Sequence, residues 1–112
     1  MTNDEDKVFK ALADANRRQL LDRLRTEGGL TLGELCEGQA MSRQAVTKHL
    51  VLLEEADLII TRKQGREKLH YLNPAPISEI YGRWVGKFAR KKVQALDNLK
   101  QALESNSGPE GD

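Results

Sequence analysis

The sequence predicts a mainly α-helical fold carrying one small β-hairpin. Three observations predict it. Apolar residues recur at helical spacing from about residue 5 to 55, and again from 77 to about 104. Helix-capping residues at Asp14, Thr31 and Ser42 divide the first stretch into separate helices. Between the two stretches, residues 58–61 and 67–72 have strand character on either side of a glycine.

The first helix, about residues 5–13, follows from Val8, Phe9, Leu12 and Ala13 at helical spacing. Asp14 can accept from the amides of the next turn, ending that helix and capping a second that runs to about Glu27. Leu20, Leu21 and Leu24 form its buried stripe, surrounded by Arg17, Arg18, Arg23 and Arg25; Gly28 and Gly29 stop it. Thr31 and Glu34 make a capping-box pair, each side chain able to satisfy the other's free amide, so a third short helix starts there and buries Leu32 and Leu35. Gly38 closes it, and a turn through Gln39, Ala40 and Met41 leads to the Ser42 cap of a fourth helix, residues 42–55. Val46, Leu50 and Leu53 give that helix a packing face, while Arg43, Gln44, Thr47 and Lys48 lie on other faces and suit a polar partner.

Two short helices joined by so short a turn make a helix-turn-helix, whose second helix projects from the domain. Beyond it, residues 58–61 are apolar and β-branched, and residues 67–72 alternate, with Leu69 and Tyr71 on one face. Gln64 and Gly65 are placed as the turn, where a positive φ is needed. Arg62, Lys63, Arg66 and Lys68 make the tip cationic, with Glu67 alone opposing them. A basic hairpin straight after a helix-turn-helix is a wing, residues 61–68, so the predicted fold is a winged helix-turn-helix.

Pro74 and Pro76 end the hairpin, and Pro76 suits the first turn of a last helix that runs from 77 to about 104. Its apolar residues include Tyr81, Trp84, Val85, Phe88, Leu96, Leu99 and Leu103. At 1.5 Å per residue such a helix is roughly 40 Å long, more than a domain of this size covers by itself. The stripe asks for a partner surface, most simply the same helix of a second copy, although the half from Ile77 to Val85 can also fold back on its own core.

Composition narrows the classes of function. At 112 residues, 31% charged and 38% hydrophobic, the chain reads as one small globular domain, neither disordered nor membrane-embedded. No apolar run approaches the roughly 20 residues that span a bilayer, and Asp4, Glu5 and Asp6 are the opposite of a signal peptide's basic start. A cytoplasmic protein with no membrane partner is expected. The single Cys36 can form no internal disulfide and supplies no thiolate cluster. The formal net charge is only +1, yet residues 42–92 hold 11 Lys or Arg against 5 Asp or Glu, a surplus of six. A basic middle between acidic ends fits a middle that faces phosphates, although solvated charge would serve solubility equally.

Taken together, in their order and spacing, Phe9 to Leu24 (FKALADANRRQLLDRL), Glu34-Leu35-Cys36, Ser42 to Leu53 (SRQAVTKHLVLL), Ala56-Asp57-Leu58-Ile59 and Gly65 to Tyr71 (GREKLHY) resemble the ArsR/SmtB family of bacterial winged-helix repressors. The resemblance spans about residues 5–104. It implies a homodimer joined through the first and last helices, binding a pseudo-palindromic operator in double-stranded DNA. Residues 1–104 would then be one domain with dimerisation helices at both ends, and residues 105–112 a flexible tail. Carried over by position, Ser42, Arg43, Gln44, Thr47 and Lys48 would lie at the recognition surface, with Arg62, Lys63, Arg66 and Lys68 on the wing. Val8, Phe9 and Leu12 would join the last helix's stripe in the dimer contact, and Tyr81, Trp84 and Phe88 would serve as dimer core and not as a ligand pocket. His49 holds the family's His before Leu50, a packed, hydrogen-bonded position and not a base reader.

Departures from the family pattern bear on regulation. Where metal-sensing members carry a Cys-x-Cys pair before the Asp/Glu-Leu step, this chain has Thr31 and Gly33, and its last helix contains no His. No metal and no cofactor is therefore expected, Cys36 is read as a small buried residue, and nothing in the residues specifies an inducer. On the DNA-binding reading, Arg43 and Gln44 are placed to reach guanine and adenine edges in the major groove. Ser42, Thr47 and Lys48 would hold phosphates, and the wing cations would reach the backbone or the minor groove. An enzyme would need a nucleophile-base pattern, a phosphate loop or metal-ligand spacing, and His49 and His70 belong to none of these. A winged-helix interaction module without DNA binding would show an acidic or apolar recognition face, in contrast to Arg43, Lys48 and the cationic wing.

Overall fold

The structure is a computed structural model and describes residues 2–107. Its elements run α1 (Thr2–Leu12), α2 (Ala15–Thr26), α3 (Leu32–Cys36), α4 (Arg43–Glu55), β1 (Ile59–Gln64), β2 (Glu67–Leu72), α5 (Ala75–Tyr81), a π-helical turn (Gly82–Gly86) and α6 (Lys87–Ser107). This is the predicted mainly helical order with one antiparallel hairpin. The chain clusters into two compact units that divide between Ile77 and Ser78.

In the first unit the helix starts are set by local side-chain chemistry. The Asp14 carboxylate accepts from the amides of Asn16 (2.8 Å) and Arg17 (3.2 Å). The Thr31 hydroxyl accepts from the Glu34 amide at 3.2 Å while Glu34 accepts from the Thr31 amide at 2.9 Å, a closed capping box. Ser42 accepts from the Ala45 amide at 3.1 Å and starts α4. The end of α4 departs from the usual chemistry. Asp57 takes the left-handed conformation, φ 63°, that glycine normally supplies after a helix. Its amide donates to Glu54 O and the Leu58 amide to Leu53 O, both at 2.9 Å, which is the paired bonding of a Schellman motif. Leu53 and Leu58, the two apolar residues such a motif brings together, are both fully buried.

Helices α2, α3 and α4 meet in a core whose fully buried side chains are Leu20, Leu35, Val46, Leu53 and Leu58. Leu32, expected inside with Leu35, is half-buried. Cys36, expected as a buried residue, is also half-buried. Val8 is buried within this unit, Leu12 is half-buried and Phe9 is exposed.

The hairpin pairs Ile59 with Leu72 through to Gln64 with Glu67. Its two-residue turn is therefore Gly65-Arg66, one position later than the expected Gln64-Gly65. The positive φ, 65°, falls on Gly65, the first central residue, as a type II′ turn requires. In β2 the alternation leaves Leu69 and Tyr71 half-buried and buries His70 between them. The reason lies 40 residues away: the Leu30 carbonyl accepts both the amide and Nδ1 of His70, each at 2.8 Å. A carbonyl can only accept, so Nδ1 carries the proton. Leu30 thereby adds an isolated antiparallel bridge to the hairpin and fastens the wing's base to the loop between α2 and α3. Gly29 belongs to that loop because its φ is +85° and a Cβ there would meet the Tyr71 hydroxyl at 3.2 Å.

The second unit is helical throughout its described residues, but the predicted uninterrupted helix is broken at residues 82–86 by one π-helical turn bracketed by Gly82 and Gly86. Within that turn the Arg83 guanidinium lies 5.6 Å from the centre of the Trp84 ring, over its face. Tyr81, Trp84, Val85, Phe88, Leu96, Leu99 and Leu103 are all exposed. Residues 105–107, expected in the tail, continue α6, and the rest of the expected tail lies outside the described residues. No helix among the described residues is long and apolar enough to cross a membrane.

Candidate nucleic-acid interface

The Ser42 cap fixes where α4 begins, so Arg43 and Gln44 fall in its first turn and Thr47 and Lys48 one turn on. All four are exposed and line one shallow concavity of about 490 Å³, while Val46, Leu50 and Leu53 of the same helix are buried. Four of the five residues expected at the recognition surface thus share one concavity, and the fifth, Ser42, serves as the helix cap. The Thr47 hydroxyl lies 2.9 Å from the Arg43 carbonyl of its own helix. His49 faces elsewhere: its Nδ1 is 3.2 Å from Nη1 of Arg17. Because guanidinium only donates, Nδ1 of His49 is the acceptor of this contact.

On the hairpin, Arg62, Lys63, Arg66 and Lys68 are exposed. Lys63 sits directly opposite Lys68 in the strand register, a like-charge pair that is unfavourable alone. Glu54, in the last turn of α4, offsets it with a carboxylate 3.2 Å from the Lys68 ammonium. A groove of about 380 Å³ runs between α4 and β2 and brings Arg43, Thr47, Val51, Glu54 and Lys68 to one cleft. Among the described residues, no three His, Cys, Asp or Glu side chains gather as a metal ion would need.

Two arginines position this surface, and sequence reasoning had placed both only as part of a polar surround. Arg17 donates from Nε to Ala11 O (2.8 Å) and from Nη2 to Lys10 O (3.0 Å), satisfying the carbonyls that α1 leaves open at its C-terminus, while Nη1 reaches His49 on α4. One side chain therefore ties α1, α2 and α4 together. Arg23 does the same for α3, donating from Nη1 to the carbonyls of Glu34 (3.0 Å), Leu35 (3.3 Å) and Glu37 (3.4 Å). Nothing in the local pattern separates Arg17 from its neighbour Arg18, since the distinguishing partner is 32 residues away.

Two carboxylates carry shifted acidity. The Arg17 amide, helped by the Asn16 amide and the Arg17 charge, holds Asp14 below its ordinary value of 3.8 against an opposing effect of partial desolvation. The Thr31 amide and then the Thr31 hydroxyl do the same for Glu34. A depressed folded value means stabilisation that is present above the unfolded value and lost as pH falls through the folded one. Thermal stability is expected to decline as pH is taken below 3.8, and Asp14→Asn, which keeps an accepting oxygen without the titration, should flatten that decline. Melting curves of both proteins across pH 2–7 check it, with parallel declines as the contrary result.

A helix-turn-helix domain family matches residues 12–62. The chain is 34% identical over 91 residues to the HTH-type transcriptional regulator YuzN of Bacillus subtilis, covering 76% of this chain and 99% of that protein. It is 35% identical over 99 residues to the arsenical resistance operon repressor of Escherichia coli, covering 88% of this chain and 80% of the repressor. Among solved structures, an ArsR-like transcriptional regulator from Rhodococcus sp. RHA1 superposes with a TM-score of 0.66 at 27% identity, over 90% of this chain and 93% of that one.

Proposed function

Because the chain belongs to the ArsR/SmtB family of winged helix-turn-helix, DNA-binding transcriptional regulators, we propose that it acts as a homodimeric repressor of a pseudo-palindromic operator. Helix α4 is its recognition helix and the hairpin its wing. The observation that carries this reading is the gathering of Arg43, Gln44, Thr47 and Lys48 on one exposed concavity beside a cationic hairpin. Arg43 and Gln44, at the start of the helix, read base edges; Ser42 and Lys48 meet phosphates; Arg62, Lys63 and Arg66 hold the backbone on the wing side. Lys68, one of whose three ammonium protons can serve Glu54, has others to offer to phosphate.

Dimerisation is supported by the exposed apolar stripe of α5, the π-helical turn and α6. At the N-terminus Phe9 is the exposed contributor, with Leu12 half-buried and Val8 already committed to the subunit's own core. Two copies would set their recognition helices about one DNA turn apart, roughly 34 Å.

Mobility shifts at several salt concentrations, on an operator duplex and a random one, test the assignment. Arg43→Ala and Gln44→Ala should each remove about 1–3 kcal/mol of preference for the operator over random DNA. Arg62→Ala should weaken binding to both duplexes alike and reduce the salt slope by about one. Equal losses on both duplexes for all three variants would sink the division of roles.

A further inference from the structure

We propose that Thr47 is a specificity residue that recognises the 5-methyl group of a thymine, an inference that rests on the operator-binding reading above. Its hydroxyl lies 2.9 Å from the Arg43 carbonyl. That carbonyl can only accept, so the hydroxyl donates to it, and a threonine has one such proton. Phosphate oxygens require a donor, and Thr47 has none left to offer while this bond stands. The sequence-based role of phosphate contact is therefore not the one this side chain is set up to play.

With the oxygen turned back onto its own helix, the group left to face a partner is the γ-methyl. Its neighbours around the concavity are Arg43, Gln44 and Lys48, all polar and all able to donate. Thr47 supplies an apolar point within a polar surface. In the major groove the thymine methyl is the apolar feature among the donors and acceptors of the base edges, and threonine methyl against thymine methyl is a sound pairing there. The remaining capacity of the Thr47 oxygen, accepting from an exocyclic amine of adenine or cytosine, is the rival recognition, and the test separates the two.

The experiment uses the full-length protein. A duplex enriched by the wild type from a random library is remade with each thymine replaced singly by uracil, which removes the 5-methyl and nothing else. Burying one methyl pair corresponds to about a fourfold change in affinity. The expected result is at least one thymine whose replacement costs the wild type about fourfold. Thr47→Val, which keeps the methyl and loses the oxygen, should retain that sensitivity; Thr47→Ser, which keeps the hydroxyl and loses the methyl, should be indifferent to the replacement. Both variants should match the wild type in helical circular dichroism, because position 47 is exposed. Uracil sensitivity unchanged in Thr47→Ser, with affinity for the parent duplex lost by Thr47→Val and kept by Thr47→Ser, would overturn the proposal in favour of the amine contact, and a wild type indifferent to every uracil would overturn it outright. Failure of the library to enrich any duplex would instead overturn the operator reading, and the role of Thr47 with it.

Discussion

Leu96→Glu and Leu99→Glu, introduced together, are expected to convert the protein to a monomer and to lower operator affinity by on the order of a hundredfold or more. Both leucines lie on α6 at 57% and 56% exposure, and Leu103 follows at 57% with helical spacing. Apolar side chains left so open along one helix are stabilised when a like surface covers them, at about 25 cal/mol per Å² removed from water. Two carboxylates placed in that seam would meet their counterparts from the second copy and lose their hydration. On the proposed dimeric reading of a two-half-site operator, a monomer would present one recognition helix, so the second half-site would no longer bind as an intramolecular event. Sedimentation velocity should find a species near 12.6 kDa for the variant and twice that for the wild type. The core of the first unit does not involve these positions, so the variant should keep its helical circular dichroism. A variant that remained dimeric would move the interface away from α6.

Leu53→Ala is expected to destabilise the first unit by about 2–5 kcal/mol. Leu53 is fully buried on the inner face of α4, and its carbonyl also closes the Schellman motif through the Leu58 amide. Truncation removes apolar contacts and leaves a cavity between α4 and its neighbours, which a close-packed interior refills only in part. Against a total stability of about 5–15 kcal/mol for a small domain, that is a large fraction. Urea unfolding followed by circular dichroism should show a lower midpoint at unchanged slope. A shift below about 1 kcal/mol would mean that the core relaxes around the site. DNA affinity measured well below the variant's melting temperature should suffer less than stability, because Leu53 is fully buried whereas Arg43 and Gln44 are exposed.

Features decided within three or four residues were legible in the sequence. Asp14, Thr31 with Glu34, and Ser42 cap the helices they were expected to cap, because each partner amide lies within the next turn. The hairpin was legible to within one residue, since Gly65 marks the turn but only the pairing of Gln64 with Glu67 shows on which side of it the loop falls. Features that depend on distant partners left no local trace. His70 reads as the polar member of an alternating strand until the Leu30 carbonyl is known to meet it. Arg17, Arg23 and Glu54 look like ordinary surface charges, yet their partners lie on other elements. Asp57 carries a conformation more typical of glycine, held by bonds to Leu53 and Glu54 that a reading of residue preferences does not anticipate. Within the candidate interface, the residues were legible but not the state of their protons. The bond that commits the Thr47 hydroxyl belongs to a side-chain rotamer, and a helical pattern specifies the face of a residue without specifying which of its atoms is spent.

The π-helical turn at Gly82–Gly86 makes the last helix sensitive to chain length. A π turn holds one residue more than the α-helical path around it, and each residue of an α-helix advances the direction of its side chains by about 100°. Deleting one residue between Tyr81 and Lys87 would let an unbroken α-helix form with nearly the same side-chain directions on either side, whereas inserting one, or converting the intact segment to α-helix, would turn everything after it by about 100° relative to everything before. Tyr81 and Val85 would then no longer share their present alignment with Leu96, Leu99 and Leu103. Point substitutions weaken or strengthen a contact in this stripe. An insertion here would instead choose a different face, so this short segment is where a lineage could change its pairing partner without altering a single apolar residue.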